Sequence, residues 1–229
     1  MTASGAAETE AASLAVEGDL SVSALLTRPP EARSCYVLAH GAGAGMRHPF
    51  MSAVAEELGR AGIATLRYQF PYMERRARRP DPPALCHATV RAAVVLAARL
   101  LPGVSLVAGG RSFGGRMTSQ AQAEAPLPGV RALAFLGFPL HPAGHPADSR
   151  AEHLVRVAIP MRFVQGTRDA LADRSLLEQV LQRLGERASI DWIENADHSF
   201  HVAARTGLKD ETVRHGLLER LARWIAAHA

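Results

Sequence analysis

The sequence predicts an α/β domain built on a mainly parallel sheet, and three features of the chain predict it. Continuous apolar runs that suit strands buried on both faces alternate with helix-compatible stretches. The strand-like run Ser105–Ala108 opens into Gly109-Gly110-Arg111-Ser112-Phe113-Gly114-Gly115 and then a helix. An aspartate and a histidine follow later strands in the order Ser112, Asp169, His198. At 229 residues the chain is long enough to bury a large core, and one domain is the expectation.

Residues 1–11 are small and polar, with acidic Glu8 and Glu10, and read as a disordered tail ahead of a single domain over 12–229. They lack the basic flank and apolar stretch of a secretory signal, so a cytoplasmic protein is expected. Leu14–Val16 and Leu20–Leu26 flank Gly18-Asp19 and predict a hairpin at the sheet edge. Cys35–Ala39 is a buried strand running into His40-Gly41-Ala42-Gly43-Ala44-Gly45. A helix follows over 49–61, with Pro49 in its first turn and Gly62 at its stop. Ile63–Tyr68 is the next strand, 69–83 a Pro- and Arg-rich loop, and 84–101 a long helix. After the strand at Ser105 comes a helix from Gly114 to Glu124 that Pro126 and Pro128 end. Arg131–Leu136, Met161–Gln165 and Ala188–Ile193 are the remaining strands. Helices over 148–155, 173–184 and 210–227 complete the alternation. Eight strands result, the first two as a hairpin, with helices on both faces.

Composition narrows the partners. The formal charge is +4, yet only Lys209 among 26 basic residues is lysine, so the basic balance reads as genomic base composition. A small molecule, rather than nucleic acid or a membrane, is the expected partner, and a monomer or homodimer the expected state. Cys35 and Cys86 have neither zinc nor redox spacing. His141 and His145 are separated by prolines that exclude a helical metal-binding pair. No metal and no cofactor are expected.

Gly110-x-Ser112-x-Gly114 describes a sharp strand-to-helix turn that exposes a serine at its tip. Alone it is a coincidence of roughly one chain in ten at ordinary glycine frequency, so the context must carry it. In open α/β sheets functional loops lie at the carboxyl ends of strands. Asp169 falls just past one such end and His198 past the next. A serine hydroxyl needs a base, and the base an orienting acid, which makes Ser112, His198 and Asp169 the candidate catalytic residues. Asp173 is the better helix cap and His201 the nearest competitor for the base. An oxyanion needs preorganised amides, here Phe113 after the serine and Ala42 in the glycine-rich loop, with Gly43 next. That loop lacks dinucleotide spacing and a Walker lysine, which weakens a phosphate-cradling alternative.

With these residues in place, His40-Gly-Ala-Gly-Ala-Gly, Gly110-Arg-Ser-Phe-Gly-Gly, Gly166-Thr-Arg-Asp169 and Asp197-His198-Ser199-Phe200 together resemble the α/β-hydrolase superfamily, in its dienelactone-hydrolase-like branch. They are similar to a group of small hydrolase-fold proteins that includes a testis-expressed vertebrate relative. The resemblance implies the α/β-hydrolase fold, serine hydrolase chemistry of esterase type, and neither metal nor organic cofactor. Dienelactone hydrolases proper carry cysteine at the nucleophile, so their substrate is not carried over to Ser112. A hydrolase-fold binding or scaffolding protein, and thioesterase, peptidase or perhydrolase variants of the same chemistry, stay open.

Only about 22 residues, 138–159, separate two strands where many hydrolases insert a lid, so no cap domain is expected. Arg111, His141 and Tyr72 are the expected substrate-side residues. The Arg75–Arg79 run reads as a solvated loop, with an anionic substrate as its functional alternative.

Overall fold

The computed structural model describes residues 7–229. Its elements in order are β1 (Glu8–Glu17), β2 (Leu20–Arg28), β3 (Ser34–Ala39), α1 (Pro49–Arg60), β4 (Ile63–Tyr68), α2 (Pro71–Glu74) and α3 (Pro83–Leu100). They continue with β5 (Ser105–Arg111), α4 (Phe113–Glu124), β6 (Val130–Leu136), β7 (Met161–Gly166), α5 (Arg174–Leu184), β8 (Ala188–Ile193) and α6 (Asp210–His228). The strands form one eight-stranded sheet in the order β1-β2-β4-β3-β5-β6-β7-β8. β2 pairs antiparallel with both β1 and β4; every other pairing is parallel.

The period-two alternation of each central strand divides the core between two faces. In β3, Cys35, Val37 and Ala39 join a cluster with Val90 of α3, Met117 of α4 and Leu177 of α5. Tyr36 and Leu38 point the other way, to Val54 and Leu58 of α1 and Leu217 and Leu221 of α6. Both faces are covered, which is why β3 and β4 are buried along their whole length. α3 is long and apolar enough by composition to cross a membrane. Here its Cys86, Val90, Val94 and Ala97 face lies in the first cluster.

Three expectations are corrected. The tail reading fails over residues 8–11, which extend β1 against β2 from Glu8 opposite Arg28. Thr9 and Thr27 hydroxyls meet at 2.8 Å and Glu10 pairs with Arg28 at 3.4 Å, so an outer strand with polar side chains is held without apolar alternation. Residues 1–6 of that tail lie outside the described residues. The loop over 69–83 contains the single-turn helix α2, and the helix expected over 148–155 is a 3₁₀ segment, Ser149–Arg156. Among the described residues, the connection between β6 and β7 holds only that segment and no cap domain.

Candidate active site

Ser112 sits between β5 and α4 near the middle of the sheet. Its φ of +49° is a backbone state that non-glycine residues rarely adopt. The turn is possible only because its neighbours are bare. A Cβ on Gly110 would fall 2.4 Å from the Ala39 carbonyl oxygen, and one on Gly114 2.5 Å from that of His40. The Ser112 amide donates to the Leu136 carbonyl of β6 at 3.0 Å, fixing the tip against the next strand.

Three chain-distant side chains meet here. Ser112 Oγ lies 2.9 Å from His198 Nε2, and His198 Nδ1 lies 2.7 Å from Asp169 Oδ2. The Asp169 carboxylate is fully buried and accepts two further bonds, from the Leu171 amide at 2.8 Å and from Gln165 Nε2. Because Asp169 can only accept, His198 carries its proton on Nδ1 and presents Nε2 as an acceptor to the serine. His201, the competing histidine, is instead turned away and bound to Asp210 at 2.7 Å. That contact raises its pKa. Asp173, the competing aspartate, caps α5 by accepting from the Leu176 amide at 3.0 Å.

Sequence reasoning missed Gln165. Its Oε1 accepts the Phe138 amide at 2.8 Å while its Nε2 donates to Asp169, so the buried amide ties β7 to the loop after β6 and orients the acid. The available signal is a glutamine near the end of a largely apolar strand, where a buried amide must find partners.

The Phe113 amide opens α4, where no intrahelical carbonyl faces it. Gly41 lies close to Ser112: a Cβ added there would stand 3.8 Å from that of the serine. Ala42 follows it with an amide that has no partner among the described residues, whereas the Gly43 amide donates to Tyr72 Oη at 2.9 Å.

The substrate-side expectations fare differently. Arg111 leans over the Phe50 ring at 4.8 Å and donates to Ser199 Oγ at 3.2 Å, with its Nε buried and unpartnered. Burial pushes its pKa below the usual arginine range, and Asp197 and Asp169 push it back up. Arg116, one turn past the serine, stands 5.9 Å from the Phe113 ring, and its Nε is likewise buried and unpartnered. Two expectations are corrected. Tyr72 is buried, its hydroxyl spent on the Gly43 amide. His141 is buried too: Nε2 accepts the Asp173 amide at 2.8 Å and Nδ1 donates to the Pro142 carbonyl at 2.9 Å. Both rings are turned inward onto backbone amides rather than outward to a ligand. In the Arg75–Arg79 run, exposed throughout, Arg75 pairs with Asp81.

Residues 32–226 match the family model of the alpha/beta hydrolase domain. Among solved structures the chain is similar to a dienelactone hydrolase from Anabaena variabilis, at 22% identity and TM-score 0.78 over 97% of this chain and 98% of that one. It is also similar to a lidless α/β serine hydrolase from Xanthomonas campestris, at 20% identity and TM-score 0.71 over 95% of each chain. A third likeness is to an esterase domain from Rhodothermus marinus, at 16% identity and TM-score 0.72 over 95% of this chain and 97% of that one. At these identities the likeness is one of fold.

Proposed function

The chain belongs to the alpha/beta hydrolase domain family and is a hydrolase of that fold, and from that premise we propose that it is a serine hydrolase acting on esters through Ser112, His198 and Asp169. The observation that carries the reading is the unbroken relay from Ser112 Oγ through both His198 nitrogens to the buried Asp169 carboxylate, mounted on a strained turn. In this mechanism Ser112 Oγ attacks the acyl carbonyl as its proton passes to His198 Nε2. Asp169 stabilises the imidazolium and keeps its orientation. The Phe113 and Ala42 amides receive the oxyanion. Collapse of the tetrahedral intermediate expels the alcohol, protonated by His198, and leaves an acyl-enzyme. Water, deprotonated by the same nitrogen, then releases the acid and restores Ser112.

Arg111 and Arg116 flank the serine on either side, with no carboxylate among the described residues in ion-pair contact, which supports a preference for substrates carrying a further negative charge. A fluorophosphonate probe tests the central reading. Wild-type protein is expected to be labelled and Ser112→Ala not; absence of label on folded wild type overturns it. A panel of matched neutral and anionic esters and thioesters tests the rest. Equal turnover of neutral and anionic members removes the arginines from recognition.

A further inference from the structure

The loop after β3 offers several amides beside Ser112, and the mechanism needs one of them aimed at the oxyanion. Two side chains outside the relay decide which. A trans peptide directs its carbonyl and the following N–H to opposite sides of one rigid plane. The Gly41 carbonyl is held by His40 Nδ1 at 2.7 Å and by the Ala44 amide at 3.2 Å. The Ala42 N–H, on the far side of that plane, is thereby fixed in direction and left without a partner among the described residues.

The His40 proton is itself assigned. Its Nε2 accepts the Phe70 amide at 3.1 Å, so the proton of the neutral ring is on Nδ1, where the Gly41 carbonyl requires it. The ring is fully buried, and burial lowers its pKa to about 4, which keeps it neutral. The next peptide plane is held from the other side. Tyr72 Oη accepts the Gly43 N–H at 2.9 Å, and the Tyr72 amide is anchored on Asp81 Oδ2 at 2.7 Å. Further along, the Met46 amide donates to Gln69 Oε1 at 2.8 Å. The segment after β4 therefore grips the loop at residues 40, 43 and 46.

We propose that His40 and Tyr72 are positioning residues that fix two successive peptide planes, so that Ala42 supplies the loop's oxyanion donor and Gly43 does not. This rests on the serine hydrolase reading above. An amide that is already aimed needs no reorganisation when charge develops on the substrate oxygen, which is where such donors act. Tyr72 thus serves the site from behind the loop without meeting the substrate.

The test is Tyr72→Phe, which deletes one oxygen from a buried ring and frees the Gly43 amide. Activity is measured with p-nitrophenyl acetate and its thionoester counterpart, per active site titrated with a fluorophosphonate so that any unfolded fraction cancels. Loss of one whole oxyanion donor costs roughly 10²–10³ in kcat, and loosening one is expected to cost about tenfold. KM stays as in wild type. The preference for the oxo ester over the thionoester shrinks, because thiocarbonyl sulfur is the poorer acceptor and gains less from an aimed amide. His40→Gln, which keeps an acceptor near the Nε2 position for Phe70 but loses the donor to the Gly41 carbonyl, is expected to show the same contraction. An unchanged kcat and unchanged oxo/thiono ratio in titratable Tyr72→Phe overturns the proposal, as does a loss confined to KM. Wild type that resists the titrant overturns the serine hydrolase reading, and the positioning role falls with it.

Discussion

Among the described residues two serines seven positions apart in the chain each meet a histidine, and the second has the shorter contact. Ser119 Oγ, inside α4, lies 2.7 Å from His153 Nε2, against 2.9 Å for Ser112 and His198. Distance therefore does not separate a candidate nucleophile from a structural contact; three other properties do. The Ser119 hydroxyl donates its one proton to the Arg116 carbonyl at 2.9 Å, so the His153 ring must donate to Ser119 and cannot act as its base. Burial, and after it the neighbouring Arg156, Arg116 and His87, lower the pKa of His153 to about 4, while His198 is backed by Asp169. Ser119 is fully buried within a regular helix, whereas Ser112 is partly exposed on a left-handed turn. The difference lies in where each proton can go.

The sharpest way to break this contrast is to remove the two hydroxyls in turn. Ser112→Ala is expected to lower kcat by roughly 10⁴–10⁶, as when a nucleophile is deleted from a comparable relay. Ser119→Ala should leave ester turnover unchanged and cost about 1 kcal/mol in urea unfolding. Comparable losses of turnover in both would erase the distinction. Next in size, Asp169→Asn offers His198 an amide that favours the wrong tautomer, with an expected fall in kcat on the order of 10⁴. Rates at saturating ester check it.

Acid separates the histidines by stability. His40 and His153 have folded pKa values of about 4, below an unfolded value near 6.5. The unfolded chain then binds more protons between those values, so stability is whole above pH 6.5 and falls as pH drops towards 4. Each ring is expected to contribute about 3 kcal/mol of that loss. Urea titrations at pH 7, 5.5 and 4 measure it, and His153→Gln should remove roughly half. Smallest is Gln165→Leu, which leaves the Phe138 amide unpaired and Asp169 one donor short. It should lower kcat by roughly tenfold and stability by about 1–3 kcal/mol, read in parallel on the same protein.

Much of the relay could be seen in the chain because each partner follows a strand, and strands are visible as apolar runs. The order Ser112, Asp169, His198 needed only three strand ends to be located. Preferring Asp169 to Asp173 and His198 to His201 rested on position relative to those ends, and in the structure Asp173 caps a helix while His201 meets Asp210. What stayed hidden was side-chain direction. Tyr72 and His141 stood in loops at the correct rim, but nothing in a linear chain says whether a polar ring turns out to a ligand or in to a backbone amide. Gln165 was hidden for the same reason, and β1 began earlier than expected because an edge strand facing water carries no apolar rhythm. Short-range chemistry was readable; the destination of each polar atom needed coordinates.

The positive φ of Ser112 sets function against robustness. A non-glycine residue held there costs on the order of 1–3 kcal/mol, and glycine would relieve most of it. A population selected for heat resistance alone would drift towards glycine at this position, becoming sturdier while losing the hydroxyl proposed as its nucleophile. On the proposed reading, selection for what its hydroxyl does is what keeps a serine at that angle.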